Sequence, residues 1–141
     1  MAQMSRAEMV AFFAEGMRTG KLATASPSGE PHVAPVWFVV DCSDLVFTTG
    51  DGSVKGRNLR ANPRAALAVD EAEFPYSFVV ARGPVTLSAD LDDMLVWATR
   101  IAERYVPAGR AKEFGERNAV PGELLGRLRI EHLTGALDIA L

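Results

Sequence analysis

The chain reads as a mainly β protein with helices, an α+β fold built on an antiparallel six-stranded barrel, and three features predict it. Six short runs of strand composition are joined by turn-length connections over 141 residues. Val33-Ala-Pro-Val-Trp-Phe-Val-Val40 is apolar on both faces, which a sheet with one face in water would not tolerate. Pro35 inside that run cannot donate to a strand ladder, so the strand must offer an edge or a bulge there. A closed antiparallel barrel that also presents an interface to a second copy meets all three conditions.

The elements follow in order. Ser5-Arg-Ala-Glu8 is a capping box, and Met9, Phe12, Phe13 and Met17 recur at helical spacing until Gly20, which predicts an amphipathic first helix. Leu22–Ser26, Val33–Asp41 and Leu45–Thr49 are expected as three antiparallel strands separated by Pro-Ser-Gly and Ser-Asp turns. A short helix over Ser53–Asn62 precedes strands at Ala65–Asp70 and Ser77–Ser88, the latter long enough to curl. Asp90 opens a second amphipathic helix with Leu91, Met94, Leu95, Ala98, Ala102 and Tyr105 on one side. Pro107–Gly122 is polar and partly helical in character. The last strand alternates Arg127, Arg129 and Glu131 against Leu128, Ile130 and His132, and its phase then changes, which predicts a bulge near Thr134-Gly135.

Composition narrows the class. The length suits one domain spanning 1–141, with no repeat or low-complexity tract. The N-terminal stretch lacks a signal-type apolar core and the longest apolar run is too short for a bilayer, so a cytoplasmic protein without membrane association is expected. Cys42 is the single cysteine, and His32 and His132 have no ligand spacing, so no disulfide and no metal site are expected.

The sharpest chemical signal is Thr48-Thr-Gly-Asp-Gly-Ser-Val-Lys-Gly-Arg-Asn-Leu-Arg-Ala-Asn-Pro63. A strand breaks at glycines and re-enters a helix capped by Ser53, with Lys55 in its first turn. The unpaired N–H groups and positive dipole end of such a helix suit an anion such as a phosphate. Arg57, Arg60 and Arg64 add local positive charge to a chain of net charge −3. That contrast favours a specific anionic ligand over nucleic acid, as does the absence of interleaved aromatics. The segment lacks the G-x-x-x-x-G-K-[ST] spacing of a nucleotide-triphosphate loop.

Gly20-Lys-Leu-Ala-Thr24, Gly29-Glu-Pro-His-Val-Ala-Pro-Val-Trp37, Lys55-Gly-Arg-Asn-Leu-Arg-Ala-Asn-Pro-Arg64 and Tyr76-Ser-Phe-Val-Val-Ala-Arg-Gly83, in this order of elements, resemble the split β-barrel superfamily of flavin-dependent oxidoreductases that includes the pyridoxamine-phosphate oxidases. Together they are similar to its actinobacterial branch that binds the deazaflavin coenzyme F420. The resemblance covers nearly the whole chain. It implies a Greek-key type split barrel of the kind that binds flavin mononucleotide (FMN), a homodimer, and two cofactors in grooves at the dimer interface. By position it implies that Ser53 and Lys55 hold the phosphate, with contacts from Gly56, Arg57 and Asn58. Pro35, Val36 and Trp37 would flank the tricyclic ring, Thr48 and Thr49 would line the path between ring and phosphate, and Tyr76 and Ser77 would approach from the partner subunit.

Two departures refine this. The strand Val33–Val40 carries none of the basic side chains with which vitamin B6 oxidases hold FMN, and their C-terminal Arg-x-His motif is missing after Arg129-Ile-Glu-His132. The resemblance therefore implies an F420-dependent reductase that transfers a hydride to a small flat hydrophobic substrate such as an enone, a quinone or a tetrapyrrole like biliverdin. Such chemistry needs no protein nucleophile, and the sequence names no catalytic residue. An FMN-dependent reductase of the same fold, or a protein that binds and stores F420 or flavin without turnover, are the alternatives.

Overall fold

The computed structural model describes residues 4–141, so the first three residues of the N-terminal stretch lie outside the described residues. Four helices and eight strands follow in the order α1 (Arg6–Ala14), β1 (Gly20–Ala25), β2 (Pro31–Val36), β3 (Phe38–Asp41), β4 (Asp44–Gly50), α2 (Val54–Ala61), β5 (Arg64–Glu71), β6 (Ser77–Ser88), α3 (Leu91–Tyr105), α4 (Ala111–Asn118), β7 (Glu123–Arg129) and β8 (His132–Ala136). All strand pairs are antiparallel, in the order β2-β1-β5-β6-β7-β4-β3, with β8 added on β6. The two edge strands, β2 and β3, are consecutive in the chain, so the sheet curls until its ends meet at Trp37.

The six expected runs become eight strands because two of them change partners midway. Val33–Asp41 is not one strand: up to Val36 it pairs with β1, and from Phe38 it pairs with β4. Its outer face is only half covered. Val39 lies against the Val46, Met94 and Leu125 cluster beneath α3, whereas Val33 and Pro35 remain exposed. Pro35 does sit on an edge strand, where its missing N–H costs no ladder bond.

The last run switches sheet sides at Ile130-Glu131, earlier than the bulge expected at Thr134-Gly135. Ile130 N–H donates to the Ser43 carbonyl and Glu131 N–H to the Arg82 carbonyl, so adjacent residues bond to different strands. Gly83 permits this crossing, because a Cβ there would stand 1.8 Å from the Arg129 carbonyl oxygen. The phase change leaves Ile130 buried and His132 exposed, against the expectation that they share a face.

Phe13, Leu22, Phe38, Leu45, Phe47, Leu67, Val69, Val79 and Leu128 fill the interior without solvent contact. Each such side chain contributes about 1.5–3 kcal/mol by leaving water. The first helix has its capping box, Ser5 with Glu8, but ends at Ala14, and Met17 lies outside it, 66% exposed. The Arg104 guanidinium explains the early stop, since it donates to the carbonyls of Phe13, Glu15 and Gly16 and to that of Phe38 on β3. On α3 the buried stripe is Met94, Ala98, Ile101 and Ala102. Leu91 and Leu95 stay exposed, contrary to expectation, because α3 rests on β3, β4 and β7 with one flank and on α4 with another.

Candidate functional site

The turn between β4 and α2 is built by local hydrogen bonds. Ser53 caps α2, and its Oγ accepts from Gly56 N–H at 3.0 Å and donates to the Gly50 carbonyl at 2.7 Å. With that single proton committed, Thr49 Oγ1 is the donor in its 3.1 Å bond to Ser53 Oγ. Ser53 thus shapes the turn and has no hydroxyl capacity left for a ligand. Gly56 is required by packing, because a Cβ there would lie 2.2 Å from the Gly50 carbonyl oxygen. The N–H groups of Val54 and Lys55, in the first turn, find no acceptor among the described residues.

The cations around this turn divide clearly. Arg60 pairs with Asp51 and Arg64 with Glu131, whereas Lys55 and Arg57 make no ion pair among the described residues. Asn58 is buried, and its Nδ2 donates to Thr24 Oγ1 at 3.1 Å, tying α2 to β1. It therefore braces the helix from inside instead of reaching out from it.

One residue here was missed by sequence reasoning. Glu123, the first residue of β7, stands opposite Gly50, and its Oε2 is buried without a hydrogen-bond partner. A Cβ on Gly50 would lie 3.7 Å from that oxygen and 3.9 Å from Ser53 Cβ, which puts the carboxylate at the α2 turn. Burial pushes the Glu123 carboxyl above the usual carboxylate range, and the charge of Lys55 draws it partly back. The strand pairing that delivers Glu123 leaves no local sequence signal.

The remaining expected site residues are spread over the fold. Thr48 and Thr49 point to opposite faces of β4, so they cannot line one path; Thr49 is buried, and Thr48 shares the face of Gly50 and Glu123. Val36 is turned into the core, while Pro35 is exposed. Trp37 is 38% exposed and stacks on Tyr105, with ring centroids 5.2 Å apart and planes at 6°. Tyr105 is itself fixed by its hydroxyl, which bonds the Arg18 carbonyl and the Phe38 backbone. The Trp37 ring is therefore preorganised at the corner between β2 and β3. Ser77 is buried and accepts from Asp138 N–H, and Tyr76 projects at the start of β6. The stretch of β6 that meets α2, at Val85 and Leu87, lies roughly 25–35 Å farther along the strand. Within one chain Tyr76 and Ser77 do not join the α2 turn.

The family model described as pyridoxamine 5'-phosphate oxidase matches residues 5–133. A pyridoxine/pyridoxamine 5'-phosphate oxidase of Rhodopseudomonas palustris is 32% identical over 124 residues, covering 82% of this chain and 55% of that protein. One from Nitrobacter hamburgensis is 37% identical over 93 residues, covering 65% and 43%. The chain thus spans about half the length of the curated relatives it matches. Among solved structures, a conserved hypothetical protein of Mycobacterium tuberculosis superposes with a TM-score of 0.82 at 23% identity, covering 96% of this chain and 86% of that one. An F420 reductase gives 0.65 at 27% identity, covering 85% and 91%. An FAD-binding protein from Mesorhizobium loti gives 0.70 at 22%, covering 95% of each.

Proposed function

The chain belongs to the pyridoxamine 5'-phosphate oxidase family, and on that premise we propose that it is an F420-dependent oxidoreductase acting on small flat hydrophobic substrates with an electron-poor double bond. The observation that carries the reading is the α2 turn, where two N–H groups without an acceptor and Lys55 without an ion pair, among the described residues, belong to one helix end. These are the donors a phosphate requires. The F420 reductase among the structural neighbours supports the choice of cofactor. Reduced F420, when bound, supplies a hydride from C5 of its ring to a substrate such as an enone, a quinone or a tetrapyrrole.

The chain's own part is placement. Lys55 and the N–H groups of Val54 and Lys55 hold the phosphate, Arg57 adds charge, and Ser53 and Gly56 keep the turn in shape. Trp37, fixed by Tyr105, offers a rigid aromatic wall to a flat ring. Vitamin B6 oxidation is disfavoured because β2 and β3 carry no lysine or arginine.

A homodimer completes the site in this reading. The outer face of β2, β1, β5 and β6 carries Val33, Ala23, Ala66, Ala68 and Val80 in facing register, none of them fully buried. A second copy covering this face would bring its Tyr76 to the groove. The FAD-binding neighbour favours one second reading, a flavin reductase of the same fold.

The test is anaerobic mixing of the protein with reduced F420 and a quinone, following reappearance of the oxidised ring. Protein-dependent reoxidation is expected. Activity with reduced FMN and none with reduced F420 would move the protein to the flavin reading.

A further inference from the structure

We propose that Glu123 is a specificity residue of the α2 anion seat, selecting a singly charged phosphodiester over a doubly charged phosphomonoester. The inference rests on the cofactor reading above and deepens it. Glu123 reaches the seat from β7 with one oxygen buried and unpartnered, beside Gly50 and Ser53. A carboxylate oxygen buried without a donor calls for an explanation that packing alone does not give. The charges at the turn are few. Lys55 on α2 acts on Glu123 across more than ion-pair distance, Asp51 and Arg60 are spent on each other, and Gly50, Thr49 and Leu124 nearby carry none. With the carboxylate ionised, Lys55 and Glu123 offset each other, leaving Arg57 at the exposed side of α2 and the N–H dipoles to attract an anion.

Such a seat accepts one negative charge more readily than two. Each added charge meets the Glu123 carboxylate within a few ångströms in a partly desolvated site, where the repulsion amounts to roughly a tenfold or greater loss of affinity. F420 carries its phosphate as a diester, with one charge on that group; FMN carries a monoester, with close to two at neutral pH. The carboxylate therefore penalises FMN most.

The experiment is a comparison of dissociation constants for F420 and FMN at pH 7.5, in the wild-type protein and in Glu123→Gln, which keeps shape and removes charge; Glu123→Ala serves as a second variant. The expected result is that FMN binding tightens about tenfold in Glu123→Gln while F420 binding changes several-fold less. An unchanged ratio of the two constants in both variants would overturn the inference and leave the cofactor reading standing. Failure of both ligands to bind any of the three proteins would overturn the two together.

Discussion

Lys55 and Asn58 are three residues apart on α2 yet do opposite work, and the difference decides what their removal does. Lys55 is unpaired at the helix end, so Lys55→Ala should weaken cofactor binding by about 1.5–3 kcal/mol with little change in unfolding free energy. Asn58 is buried against Thr24, so Asn58→Ala should lower stability by about 1–3 kcal/mol in denaturant titrations. Glu123 adds a pH dependence. Its folded pKa is raised by burial, so the stability tied to its protonated form is complete below the usual carboxylate value of 4.5 and is lost as pH rises through the folded value. Glu123→Gln should therefore be more stable than wild type at neutral pH, a gain that disappears below about pH 4.5 in thermal melts. The positions of Ser53 as cap and Lys55 in the first turn were legible in the sequence because both are defined by spacings of a few residues, whereas the expected phosphate contact of the Ser53 hydroxyl gives way to its bonds within the turn. Glu123 was not, because only the pairing of β7 with β4 brings it to Gly50.

At the scale of elements, α2 is held by a close approach and α1 by a cation. A Cβ at residue 56 would collide with the Gly50 carbonyl, a backbone atom that cannot swing aside. Gly56→Ala should shift α2 off β4, costing about 1–3 kcal/mol and abolishing cofactor binding, both measurable on the purified variant. Arg104 gathers carbonyls from the end of α1 and from β3, so Arg104→Ala should cost at least about 2 kcal/mol and loosen α1 first, visible as faster amide exchange there. The N-caps Ser5, Ser53 and Asp90 and the extent of β6 were readable locally, from cap residues ahead of helical spacing and from a long strand-like stretch after a turn. The strand breaks at Trp37 and Ile130-Glu131 were not. The apolar run continues unbroken through Val36, Trp37 and Phe38 while the hydrogen-bond partner changes, and a hydrophobic pattern records burial, not partners.

For the whole molecule, the curled sheet sets two surfaces against different surroundings. The faces of β3, β4 and β7 are covered by α3, where Trp97 lies between the Arg100 and Arg127 guanidinium groups, each 4.6 Å from its ring. The face of β2, β1, β5 and β6 has no such cover among the described residues, and its doubly apolar strand pointed to that need in the sequence. Ala66→Glu on this face should leave the protein monomeric in sedimentation where the proposed dimer is expected of the wild type, and reduce cofactor affinity with it. In the proposed function the α2 turn and Trp37 belong to one F420 site. The most direct test is titration of a Trp97→Phe protein, in which Trp37 is the remaining indole, with F420 and separately with FMN, repeated with Lys55→Ala added. Strong quenching by F420, weaker quenching by FMN and loss of both with Lys55→Ala are the predicted results. Quenching that survives Lys55→Ala, or that occurs with FMN and not with F420, would contradict the account.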